Sequence, residues 1–104
     1  ATVIKLNPYD FPAAYLYNAM SNFHLGDAKA AEASAREAVK LDTGHAFPEA
    51  EYTLGVVLGA NGDYQGAVEH LRNYLKIAPN SPSAEAVKRQ LAVFEQSATA
   101  APPK

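Results

Sequence analysis

The side chains best suited to hold a metal or move a proton are three histidines, His24, His45 and His70. A helical metal pair needs a second ligand three or four residues along, and none of the three has another histidine at that spacing. His24 is expected to close a helix just before Leu25-Gly26, where a protonated ring interacts favourably with the helix C-terminus. His45 falls in a loop, and His70, following Glu69, is expected on the outer face of its helix. The serines at 21, 34, 81, 83 and 97 include no Gly-x-Ser-x-Gly. Glu49 and Glu51, two apart on a helix, face different ways and form no acid–base pair. Gly55, Gly59, Gly62 and Gly66 are not followed by the Gly-Lys-Ser/Thr of a phosphate loop. With no cysteine in the chain there is no thiol nucleophile, disulfide, Cys-type zinc site or iron–sulfur cluster. The expectation is a non-enzyme with no catalytic residues, no metal and no cofactor.

The elements that carry these residues must fit into 104 residues, enough for one small domain or a short array of repeats. A net charge of −2 supplies no strong field to collect nucleic acid or anionic lipid. The uncharged stretch Tyr52 to Asn61 is far short of the roughly 20 apolar residues that span a bilayer, so no membrane insertion is expected. The chain starts without methionine and without a basic-then-apolar leader, which suggests a piece of a longer protein. Ser97 to Lys104 has no large apolar side chain and ends in Pro-Pro-Lys, as a flexible tail would. No compartment is indicated.

Internal repetition is the main signal. Phe11-Pro12-Ala13-Ala14 is answered by Phe47-Pro48-Glu49-Ala50, and at the same offset Gly26-Asp27 matches Gly62-Asp63, Ala31 matches Ala67 and Arg36 matches Arg72. Val39-Lys40-Leu41 aligns in turn with Leu75-Lys76-Ile77, and Pro82-Ser83-Ala84 opens a third unit. Ile4-Lys5-Leu6-Asn7-Pro8 resembles the repeat ending Leu75 to Pro79. One domain over residues 1–96 therefore divides into a remnant at 1–8, full repeats at 12–43 and 48–79, and a capping helix at 82–96, with the tail at 97–104.

Each unit reads as two helices joined by a tight turn, giving an all-α fold. Pro12, Pro48 and Pro82 suit the first helical position, with Asp10 and Ser81 as caps. Gly26 and Gly62 can take the left-handed conformation that ends a helix, and Asp27 and Asp63 then cap the next one. Second helices are expected over 28–41 and 64–77, and a last one over 83–96 with Ala84, Val87, Leu91 and Phe94 on one stripe. Gly55 and Gly59 are expected to admit close helix contact. Asn18 and Asn22, one turn apart, are expected to bond each other, Tyr15 or nearby backbone, with access from a groove edge as the alternative. Charge pairs such as Arg36-Glu37 and Lys88-Arg89 read as solvated faces.

These residues resemble the tetratricopeptide repeat. The second unit supplies Leu54-Gly55, Leu58, Gly62-Asp63-Tyr64, Ala67, Leu71, Leu75 and Pro79; the first supplies Tyr15, Ala19, Gly26-Asp27, Ala31, Ala38 and Leu41-Asp42. It departs at Asn18, Asn22 and Thr43, and in a connection lengthened near His45 to Phe47. The resemblance implies an α-solenoid, a right-handed superhelix whose first helices line a concave groove for a protein or peptide ligand. It places Ala13, Leu16, Tyr17, Met20, Phe23 and His24 of the first unit in that groove. From the second unit it places Glu49, Tyr52, Thr53, Val56 and Ala60 there. Leu16, Met20 and Thr53 occupy positions where chaperone-binding members carry Lys and Asn, so no carboxylate clamp is implied. The expected function is a protein–protein interaction module, or scaffold, that binds a peptide or partner helix through apolar and aromatic contacts and Tyr hydroxyls. The alternative is a structural segment whose Leu16, Met20 and Phe23 stripe is buried intramolecularly or in a homodimer.

Overall fold

The computed structural model describes residues 12–42, 44 and 47–100, and five α-helices occupy most of them. They are α1 (Pro12–His24), α2 (Ala28–Leu41), α3 (Glu49–Ala60), α4 (Tyr64–Ile77) and α5 (Ala84–Ala100). The expected remnant at 1–8, Asp10, Phe11, Thr43, His45 and the last four residues lie outside the described residues.

Local chemistry sets the two hairpin turns. Gly26 and Gly62 sit at φ 85° and 88°, a region open to glycine at little cost. At each, two backbone bonds close the preceding helix. Gly26 N–H donates to the Phe23 carbonyl and Asp27 N–H to that of Asn22; Gly62 N–H donates to Gly59 and Asp63 N–H to Leu58. The aspartates then start the next helix, Asp27 accepting from Ala30 N–H at 3.1 Å and Asp63 from Gly66 N–H at 3.0 Å. The second helices have the expected bounds.

The first helices of the units start less uniformly than their prolines suggest. Pro12 is the first residue of α1, but Pro48 is the N-cap of α3 and Pro82 lies two residues ahead of α5. Ser81 does not cap with its hydroxyl, which lies 2.8 Å from that of Tyr74. Helix α5 also runs past Gln96 to Ala100, so Ser97 to Thr99 are helical where a tail is expected. Alanine at 98 and 100 favours that continuation, and the Thr99 hydroxyl donates back to the Glu95 and Gln96 carbonyls.

Each helix packs on its neighbour in sequence, and α1 also packs on α3. The shortest dimension, 19 Å, matches two helix layers of about 10 Å each. Small residues set the spacing. On α2, Ala31, Ser34, Ala35 and Ala38 form the buried stripe, and on α4 Ala67, Val68, Leu71 and Tyr74 do. Helix α3 is buried over most of its surface, with Leu54, Val57 and Leu58 at the centre. A β-carbon on Gly55 would meet Leu71 Cδ2 at 2.9 Å, so α3 and α4 touch backbone to side chain. The Asn18 amide donates to Ser34 Oγ at 2.6 Å, tying α1 to α2. Asn61 reaches back across the unit boundary to the Ala28 carbonyl and Glu32.

Candidate functional site

A groove is made by α1, α3 and the segment leading into α5. Its larger part, about 680 Å³, is lined by Leu16, Tyr17 and Met20 from α1 and by Glu49, Tyr52 and Thr53 from α3. A smaller apolar extension of about 130 Å³ shares Met20, Tyr52 and Thr53 and adds Phe23, His24, Val56 and Val57. The spacing explains the convergence. Residues 16, 20 and 23 lie on one stripe of α1, and 49, 52, 53 and 56 on one stripe of α3.

Most of the expected groove residues therefore meet. Ala13 is in the first turn of α1, but its side chain lies outside the described residues. Ala60 is exposed at the end of α3 and borders neither part of the groove. Within the α1 stripe burial is graded. Leu16 is 7% exposed and packs with Ala38 and Ala50, whereas Met20 is 43% and Tyr17 69% exposed. Leu16 is thus core that forms the groove floor, and Met20 and Tyr17 form its open wall.

Phe47, Tyr74, Ser81, Pro82 and Ser83 also line the groove, and sequence reasoning misses them. Four come from the connections between units, and Tyr74 comes from a second helix. Tyr74 enters because its ring lies 5.9 Å from that of Tyr52. Its pairing with Ser81 draws the chain before α5 into the wall. Tyr52 in turn donates to Gln90 Oε1 at 3.3 Å. Of the groove hydroxyls expected to serve a ligand, that of Tyr52 is thus already hydrogen-bonded within the protein, as is that of Tyr74.

On the other side of α3 the chain buries a polar cluster. His70 Nδ1 lies 2.6 Å from Glu51 Oε1, and Asn73 donates to the same oxygen at 3.4 Å. His70 is therefore not on the outer face of α4 but against α3, because Glu51 points there while Glu49 points into the groove. Another cavity, about 700 Å³, lies between α4 and α5; of its four charged residues Arg72 and Glu95 pair at 2.6 Å, and Glu69 and Lys76 also balance in sign. Among the described residues no three His, Asp or Glu side chains gather as metal ligands.

Residues 49–81, beginning at the first residue of α3 and running through α4, match the family model for the tetratricopeptide repeat. These residues form a tetratricopeptide repeat. A comparison with curated proteins finds no match. Tetratricopeptide repeats are interaction and scaffolding units, and in this one the first-helix face of α3 is the side that meets α1 across the groove. Among the described residues no helix is long and apolar enough to cross a membrane.

Proposed function

We propose that the chain is a non-enzymatic interaction module that holds an extended peptide or a partner helix in this groove and so scaffolds a larger assembly. The observation that carries the reading is the pair Tyr17 and Met20, left open on the groove wall while Leu16 beside them is packed into the core. A soft thioether beside aromatic rings adapts to a ligand's apolar side chains, and hydroxyls at Thr53 and Ser83 can meet its backbone. The test is affinity capture from an extract of the source cells with the parent chain and with Met20→Glu, both first shown to be equally helical. A protein retained by the parent and lost by the variant supports the reading; equal retention by both removes it.

A second reading has an observation of its own. Tyr17, Met20 and Phe47 are exposed apolar side chains around one groove, a surface on which two copies could pair. Sedimentation equilibrium separates the two: a mass that rises with concentration and returns to the monomer value in Met20→Glu favours self-association.

A further inference from the structure

Resting on the groove as the binding surface, we infer that its ligand is a segment carrying a Lys or Arg side chain set among apolar residues, the cation lying at the Glu49 end. The described residues that line the two parts of the groove include one carboxylate, Glu49, and no Lys or Arg. Glu49 is exposed in the first turn of α3 and has no hydrogen-bond or ion-pair partner among the described residues. Glu51 is engaged by His70 and Asn73, Glu32 by Arg36 and Asn61, Glu95 by Arg72 and Glu85 by Lys88, while Glu37 and Glu69, also without a partner among the described residues, border neither part of the groove.

Around Glu49 the wall is aromatic. Tyr17, Phe47, Tyr52 and Tyr74 line the same 680 Å³ space. Because the hydroxyls of Tyr52 and Tyr74 are spent on Gln90 and Ser81, these two residues offer a ligand their ring surfaces. An aromatic face is negative at its centre and attracts a cation, and a carboxylate beside it adds a direct Coulomb attraction. Tyr52 stands three residues after Glu49, so ring and carboxylate share one helix face. The opposite end of the groove has different chemistry: Met20, Phe23, Val56 and Val57 enclose the small apolar part, with His24 at its mouth. One end suits a charged head and the other an aliphatic or aromatic side chain, which gives the bound segment a direction.

The probe is a displayed library of random twelve-residue peptides selected on the immobilised full chain. The expected winners are enriched in Lys or Arg next to apolar residues and depleted in Asp and Glu. For a synthetic peptide of the winning pattern, replacing Arg by citrulline, or Lys by acetyl-lysine, should weaken binding about three- to tenfold. Glu49→Gln should cause a similar loss, and the two changes together should cost no more than either alone. Raising salt should weaken the charged peptide more than its neutral counterpart. Winners without a basic bias, or a cation preference that survives Glu49→Gln, would overturn the cation assignment while leaving the groove in place. Winners that bind Met20→Lys, which puts a like charge at the join of the two parts, as well as the parent would overturn the groove reading itself. A library yielding no winners would exclude a linear peptide and this inference with it.

Discussion

The ring of Phe94 on α5 occupies the space into which a β-carbon on Gly59 of α3 would project. The same ring stacks on Tyr64 at 6.1 Å between centroids, so it is held from two sides. Gly59→Ala should therefore force the ring aside and destabilise the chain by about 1–3 kcal/mol. Urea unfolding measures this, and Phe94→Leu in the same chain should recover part of the loss.

Ala67 is fully buried on α4, and its carbonyl lies against Gly55 of α3. A larger side chain would have to separate the two helices of the second unit. Ala67→Leu is expected to cost about 1–3 kcal/mol, read from the denaturation midpoint. A variant that melts like the parent would show that α3 and α4 can part without penalty.

Met20 behaves oppositely, since nearly half of it is already in water. Met20→Glu should change stability by no more than about 0.5 kcal/mol and leave the far-ultraviolet circular dichroism unchanged. Ligand binding should fall, because the charge enters the join between the two parts of the groove. Loss of the folded state would place Met20 in the core.

His70→Ala removes the closer of two partners from the buried Glu51 carboxylate. Leaving a buried acceptor underpaired costs about 1–3 kcal/mol. Glu51→Gln, whose amide oxygen can take the place of Oε1 and accept from both His70 and Asn73, should cost less. Thermal melts of the two variants side by side test the order.

What could be read from the sequence follows from how local each determinant is. Gly26, Asp27, Gly62 and Asp63 act through φ and through bonds to residues at most five positions away, so their types alone mark both hairpin turns and the bounds of α2 and α4. The groove stripes of α1 and α3 are equally local, being a matter of helical spacing. His70 is not: its side of α4 depends on how α3 is rotated to present Glu51, and no spacing within α4 records that. Nor does any pattern within one helix reveal that Phe47 and Ser83, from two connections, close the groove. Asn18 was legible as an internally satisfied amide, but its partner, Ser34, is known only once α2 is laid against α1.

Phe47 reaches the groove under restraint. Its N–H donates to the Asp42 carboxylate at 2.8 Å, and Asp42 is itself buried, with its own N–H bonded to the Ala38 and Val39 carbonyls at the end of α2. The rim of the groove is thus moored to the opposite layer, at the end of α2. The wall presented to a ligand is thereby set by a second helix of the array as well as by the first helices that line it.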